Sequence, residues 1–198
     1  MNPPFFSIIT PTLLRNSLVD CCGSVNGQMG NFWAAEFWEH IVMNDSGIPI
    51  SDEMLDVICD HKRRIIDCPT PHKNYGNTCR HEAWKQAKGK WVIFLDDDNV
   101  MAHGQALQDI ATALWNIEEK WAIFPIMRHG RRFFYDPPGC CYVDTANMVI
   151  RREIGQWPDG PEYTMDGIFC DQLKAKYPYA AFPDVKPIIV MEKSNEGK

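Results

Sequence analysis

Apolar positions along this chain fall into short continuous runs separated by stretches of helical spacing. Phe5 to Thr10 (FFSIIT) is a β-rich run broken by Pro11 and reads as a buried first strand. From about Asn16, Leu18, Cys22 and Val25 recur at helical spacing. Trp38 to Asn44 (WEHIVMN) predicts a second strand, ended by the turn formers Asp45, Ser46, Gly47 and Pro49. Ser51 is placed to cap a short helix carrying Leu55 and Ile58. Arg64 to Cys68 predicts a third strand, stopped by Pro69. After the loop PTPHKNYGN, Asn77 or Thr78 caps a helix with Cys79, Ala83 and Ala87 on one side, and Gly89 ends it. Trp91 to Leu95 predicts a fourth strand. Leu107, Ile110, Ala111, Leu114 and Trp115 mark an amphipathic helix, and Trp121 to Ile126 a fifth strand.

This alternation predicts an α/β layer structure with a largely parallel sheet. After Ile126 the pattern changes. HGRRFFYD and CCYVDTANMVIRRE read as antiparallel strands around the PPG turn. A last helix, near Gly167 to Lys176, precedes a final strand near Ala180 to Val190, and the tail EKSNEGK is expected to fray.

Length and composition narrow the class. At 198 residues, 45% hydrophobic and 23% charged, the chain is expected to be one soluble domain spanning 1–198. A net charge of -6 argues against a general nucleic-acid binder, because phosphate contacts need a basic face. RHGRR (128–132) is the basic cluster to set against that. MNPPFF has no signal-peptide character, and no run approaches the roughly 18 apolar residues of a membrane span. The eight cysteines show neither CxxC nor zinc spacing, so reduced, mostly buried thiols in a cytoplasmic protein are expected.

The chemistry concentrates at GKWVIFLDDDNVMAHG (89–104). An apolar strand delivers Asp96, Asp97 and Asp98 side by side. Such acids can cap a following helix, with Asp98 or Asn99 as the cap. They also form a hard oxygen donor set suited to Mg²⁺ or Mn²⁺, which keep open positions for phosphate oxygens. In open α/β sheets, ligands bind beyond the carboxyl ends of the strands.

Two families use such a strand. Asp96, Asp98 and Val100 fit the DxDx(T/V) string of haloacid-dehalogenase phosphatases, with Asp166 and Asp171 able to imitate a later acidic motif. That string normally opens its domain, whereas here much α/β structure precedes it. The whole chain more closely resembles a GT-A glycosyltransferase of family 2. FSIITPT (6–12) is similar to the family's S-I-I-I-P-T strand, and VMNDSG (42–47) to its V-V-D-D-G-S strand end. GNTCRHEAWKQAKGKWVIFLDDDN (76–99) is similar to G-x-x-x-A-R-N-x-G-x-x-x-A-x-G-x-Y-I-x-F-L-D-x-D. The three matches agree in order and spacing.

The resemblance implies a Rossmann-like three-layer α/β/α fold with a mostly parallel central sheet. Residues 1–100 would be the nucleotide-binding half and 101–198 the acceptor-side half. It implies transfer of a sugar from a nucleoside diphosphate sugar, a UDP-sugar being expected, to a hydroxyl acceptor. The acceptor would be a saccharide, a lipid-linked sugar or a small molecule. Pro11 and Thr12 would line the base pocket. Asp45 would bind the base, its usual acidic neighbour being Asn44 here; otherwise it is a turn former. Arg80 would approach the base or diphosphate, the alternative being a surface ion pair. Asp98 would hold the Mn²⁺ or Mg²⁺, with Asp96 joining through water or touching the ribose, and Asp97 contacting the nucleotide.

Inversion needs a base for the acceptor hydroxyl. In TMDGIFCDQLKAKYP (164–178), Asp166 stands where the family's E-D-W-D-L pattern has its acid; a plain helix N-cap is the alternative. Asp171 is a second candidate. Asp144 and Asn147 would touch donor sugar or acceptor. Trp157 would stack on a sugar ring or be plain core. A rival from another class is a nucleotide-sugar binding protein without catalysis, which has no need of Asp166.

Overall fold

The computed structural model describes residues 3–29, 37–68, 71–72, 74–139 and 143–191. Its strands are β1 (Phe6–Thr12), β2 (Trp38–Asn44), β3 (Arg63–Asp67), β4 (Trp91–Phe94), β5 (Asn99–Met101) and β6 (Trp121–Ile123). They continue with β7 (Ile126–Arg128), β8 (Arg131–Phe133), β9 (Met148–Arg151), β10 (Tyr179–Ala181) and β11 (Ile189–Met191). The helices are α1 (Ser17–Asn26), α2 (Asp52–Ile58), α3 (Asn77–Gln86), α4 (Ala106–Leu114) and α5 (Met165–Lys176).

A seven-stranded sheet runs in the order β10-β6-β9-β4-β1-β2-β3. β4, β1, β2 and β3 pair in parallel with one another, as do β6 and β10, whereas β9, between β4 and β6, is antiparallel to both. Successive side chains of a strand point to opposite faces. Ile8, Trp91 and Ile93 therefore pack against Cys21 and Val25 of α1 and Leu107, Ile110 and Leu114 of α4. Ile9, Ile41, Val92 and Phe94 pack on the other side against Cys79, Ala83 and Trp84 of α3 and Phe169 and Leu173 of α5. With both faces covered, β1 and β4 are buried at every position, without alternation. Each Ile or Phe fully buried this way contributes roughly 1.5–3 kcal/mol.

Local chemistry explains the element ends. Ser51 Oγ accepts from Met54 N at the start of α2, as its cap position predicts. Gly89 is required by close approach: a Cβ there would lie 2.4 Å from the Ser7 nitrogen on β1. This glycine lets β4 lie beside β1, where Gly89 N donates to Ser7 Oγ at 2.8 Å. Thr10 Oγ1 donates to the Leu95 carbonyl at 2.6 Å and meets His40 Nε2 at 2.9 Å. His40 Nδ1 accepts from Arg63 Nε, so the ring is neutral with its proton on Nε2. Burial and Arg63 together hold its pKa well below the usual histidine range.

Several sequence expectations need correction. β1 runs through Pro11 to Thr12 rather than breaking at Pro11. Gly76, not Asn77 or Thr78, is the N-cap of α3, and the helix stops at Gln86 before Gly89. The run Trp121 to Ile126 is two strands in two sheets, because the chain leaves the main sheet at Phe124–Pro125. Ala180 to Val190 likewise divides into β10 and β11. A second sheet, β5-β11-β7-β8, gathers these short pieces. The segment before the PPG turn supplies β8, which pairs with β7, whereas β9 enters the main sheet, so the two do not pair. Trp115 lies just beyond α4 and is 58% exposed rather than on its packed face. Of the cysteines, Cys21, Cys22, Cys79 and Cys170 are buried as expected, Cys68 is half-buried and Cys59 exposed, and Cys140 and Cys141 lie outside the described residues. Among the described residues no helix is long and apolar enough to cross a membrane.

Candidate active site

The parallel strands β1, β2 and β4 end at the same edge of the sheet, and each end carries polar chemistry. β1 ends in Pro11-Thr12, β2 leads into Asp45, and β4 leads through Leu95 into the three acids. β9 runs antiparallel to β4, with Val149 opposite Ile93. Its amino end therefore lies at β4's carboxyl end and brings Asp144 there. α5 starts at the same edge and supplies Asp166 in its first turn. These groups open on one cavity of about 1000 Å³.

The three acids have different surroundings. Asp97 is buried: its carboxylate accepts from Thr12 Oγ1 at 2.7 Å, Leu13 N at 3.4 Å and Arg15 Nη1 at 3.1 Å. Asp98 is a quarter exposed and meets Arg15 Nη1 at 3.4 Å. Burial, then the charges of Asp96 and Asp97, push its carboxyl up to about 6 against the pull of Arg15. Asp96 forms an ion pair with Arg80. The chain continues from Asp98 into β5, so these acids cap no helix.

Arg80 is buried on α3, one turn from the helix start. Its Nη2 binds Asp96 and its Nη1 donates to the Tyr75 carbonyl at 2.7 Å. Its buried Nε has no hydrogen-bond partner among the described residues. The guanidinium also lies over the Trp157 ring, 5.4 Å from the centroid. Gly76 sets this arrangement with a φ of 75°, and a Cβ there would meet Pro11 at 2.7 Å and Arg80 Nη1 at 3.2 Å. Asp45 is buried, its N–H donating to the Thr12 carbonyl and its carboxylate accepting from His72 N, both at 2.8 Å.

Asp166 is half-buried, and Thr164 rather than Asp166 is the N-cap of α5. Asp166 Oδ1 accepts from Gly167 N at 2.8 Å. Burial, reinforced by the charge of Asp144, raises its pKa despite that bond and Arg80. Asp144 is raised for the same leading reason, burial, although it accepts from Ala146 N and Thr145 Oγ1.

The cavity thus brings together Pro11, Thr12, Asp45, Arg80, Asp96, Asp97, Asp98, Asp144, Trp157 and Asp166. It leaves out two predicted residues. Asn147 is buried, its amide donating to the Phe124 carbonyl and its oxygen accepting from Asp144 N, so it builds the turn that presents Asp144. Asp171 is exposed further along α5, beside Gly139. Trp157 lines the cavity but is 1% exposed, wedged between Phe94 and Phe169 with Nε1 on Asn77 Oδ1. No open face is left for a sugar.

Arg15, Tyr75, Tyr163 and Arg128 also line the cavity, and the sequence alone does not assign them to it. Arg15 follows the first strand end by three residues, but nothing in its local pattern tied it to the distant acids. Leu14, at a φ of 62° with its N–H on Thr12 Oγ1, turns the chain so that Arg15 returns over them. Tyr75 and Tyr163 pair edge to face at 5.0 Å on the rim, both exposed. Arg128, with His129, reaches the cavity from the β7–β8 hairpin. The RHGRR cluster was visible in the sequence; its fold-back toward the acids was not.

No curated protein matches this sequence. Among solved structures, residues 1–349 of S. aureus TarS in complex with UDP-GlcNAc superpose with a TM-score of 0.73 at 19% identity. That match covers 100% of this chain and 60% of TarS 1–349. The UDP complex of the same fragment gives 0.72 at 18% identity, over 96% and 60%. The mannosyltransferase PcManGT from Pyrobaculum calidifontis, in complex with GDP-Man and Mn²⁺, gives 0.72 at 14% identity, over 100% and 59%. The chain therefore spans about three fifths of the length of these relatives, and the likeness is one of fold. The model of the family described as glycosyl transferase family 2 matches residues 7–169. With that match over most of its length, and with its mostly parallel sheet between helical layers, this chain belongs to glycosyl transferase family 2 and has the GT-A fold.

Proposed function

We propose that this domain moves a sugar from a nucleoside diphosphate sugar to an acceptor hydroxyl, with inversion at the anomeric carbon. The observation that carries the reading is the meeting of Asp96, Asp98, Arg80 and Asp166 around one cavity. Asp45 and the Pro11-Thr12 strand end form its base-binding side. A UDP-sugar is the preferred donor, supported by TarS complexes holding UDP and UDP-GlcNAc, while PcManGT holds GDP-Man.

The donor set at β4 fits a hard divalent ion: carboxylate oxygens of Asp98 and Asp96 face a cavity where neighbouring acids raise the cost of Asp98's charge. Mn²⁺ or Mg²⁺ held there would neutralise charge gathering on the departing diphosphate. The protein's own cations share that work. Arg80 offers an Nε–H that has no partner among the described residues, and Arg15 and Arg128 add positive charge at the cavity wall.

Asp166 takes the acceptor proton. As the acceptor oxygen bonds to the anomeric carbon, the bond from that carbon to the diphosphate oxygen breaks, and the leaving group departs as an anion. A base with a raised pKa is better matched to a hydroxyl proton than an ordinary aspartate. Tyr75 and Tyr163 form the aromatic rim that would face the acceptor, a saccharide, lipid-linked sugar or small molecule.

The test is slow hydrolysis of a panel of nucleotide sugars with Mn²⁺ and no acceptor. Turnover by the native protein, lost in Asp166→Asn with UDP binding retained, supports the reading. Unchanged turnover in that variant removes Asp166 from the mechanism, and binding without any turnover favours a non-catalytic sugar-nucleotide receptor.

A further inference from the structure

Beside the base-binding side of the cavity, three donors of different chemistry converge. Asp45 Oδ1 follows β2, Cys68 Sγ follows β3, and His72 Nδ1 lies in the next loop. One ligand atom from each lies within 4.8 Å of the other two. Parallel pairing of β2 and β3 sets Asp45 and Cys68 side by side, since Asn44 is opposite Asp67. Cys68 N donates to the Asn44 carbonyl at 2.9 Å, which extends that register by a residue.

Pro71 and His72 are each seated against the end of β2. Pro71 packs against Gly47, where a Cβ would come within 2.5 Å of Pro71 Cγ. Next to it, His72 N donates to Asp45 Oδ1 at 2.8 Å and His72 Nδ1 stands 3.4 Å from the same oxygen. Ligands about 2.1 Å from a tetrahedral zinc ion are separated by about 3.4 Å, so this nitrogen and oxygen already have the spacing of two neighbouring ligands. Their environments suit an entry path. Asp45 is buried, Cys68 is half-buried, and His72 is exposed at 37% of its side chain.

We infer that Asp45, Cys68 and His72 form a second metal site, selective for a thiophilic divalent ion such as Zn²⁺. A mixed oxygen, sulfur and nitrogen set favours zinc over Mg²⁺ or Mn²⁺, which prefer oxygen alone. Binding exchanges the Cys68 thiol proton for the metal, and that proton goes to solvent. Cys79 Sγ lies 3.2 Å from Cys68 Sγ and steadies the sulfur from the buried side. The site is distinct from the acids after β4 in its residues and its donor chemistry. One consequence rests on the proposed donor reading: zinc here occupies Asp45 and competes with the nucleotide base.

Cobalt(II) titration under a non-thiol reductant tests the site, because a thiolate ligand gives an intense near-ultraviolet charge-transfer band that an all-carboxylate site cannot give. The native protein should show that band at one equivalent, with Zn²⁺ abolishing it. Asp98→Asn should keep it, Cys68→Ser should lose it, and His72→Ala should weaken cobalt affinity roughly tenfold or more. No band in the native protein, a band that survives Cys68→Ser, or unchanged affinity in His72→Ala overturns the site. His72 is on the surface, so its variant stays informative even where Cys68→Ser folds poorly. A cobalt band indifferent to saturating UDP leaves the metal site standing and instead removes Asp45 from base binding.

Discussion

The Thr12 hydroxyl donates to the Asp97 carboxylate at 2.7 Å, tying the end of β1 to the end of β4. The same oxygen accepts from Leu14 N at 2.8 Å and so latches the left-handed turn that carries Arg15 back to the acids. The middle acid of the triplet is thus engaged with the protein frame. Thr12→Val keeps the shape and removes both bonds, leaving a buried carboxylate short of a donor. We expect a loss of about 1–3 kcal/mol in denaturant unfolding. An unfolding midpoint equal to that of the native protein would show the latch to be idle.

Asp98 carries the opposite expectation. Burial and two flanking acids raise its folded pKa to about 6 from 3.8. Between those values the folded state holds a proton that the unfolded state has released. Asp98 therefore adds stability below about pH 4, and that contribution is lost as pH rises through 6. Asp98→Asn should accordingly be more stable than the native protein at pH 7.5, by roughly 1–3 kcal/mol, with the gain shrinking toward pH 4. Unfolding curves at several pH values check this, and a gain independent of pH would contradict it.

Asp166 must be ionised to accept a proton, and burial raises its pKa. The kcat profile should therefore fall on the acid side, with a midpoint above that of an ordinary aspartate. Asp166→Asn should remove turnover by roughly 10²–10⁴-fold while UDP affinity stays within about threefold. A variant that loses binding and turnover in parallel would make the residue structural.

How much of this was legible beforehand depends on whether each feature is local. The sequence marks β2 residue for residue and the ends of β1 and β4 within two, because β-rich runs stop at turn formers and polar strand ends. That Asp96, Asp98 and Arg80 belong to one site was implied by the resemblance to the family's motif across α3 and β4, which is contiguous in the sequence. The destination of Trp121 to Ile126 was not legible, since an apolar run does not say that Pro125 sends its second half to another sheet. The insertion of β9 between β4 and β6 depends on pairing with β4 across more than fifty residues, which no window of sequence displays. Asn147 ties the turn that presents Asp144 instead of reaching the site, and of the two readings open for Trp157 its burial fits plain core.

Arg80 makes two divergent contacts, to Asp96 and to the Tyr75 carbonyl, that a lysine cannot make together. Arg80→Lys keeps the charge but should weaken UDP binding by roughly tenfold, about 1.4 kcal/mol, through misplacement of Asp96 and loss of the Nε–H. Calorimetric titration with UDP measures it. Full retention of affinity would reduce Arg80 to a simple charge.

The central claim is that Asp98, with Asp96, grips a divalent ion that in turn holds a nucleoside diphosphate. Thermal unfolding in UDP, GDP, dTDP or CDP, each with Mn²⁺ or with EDTA, tests it most directly in native protein and Asp98→Ala. One nucleotide should stabilise the native protein by about 2.7 kcal/mol at a hundredfold excess over its dissociation constant, only with Mn²⁺ and not in Asp98→Ala. Equal stabilisation in EDTA, or undiminished stabilisation of Asp98→Ala, would contradict the account.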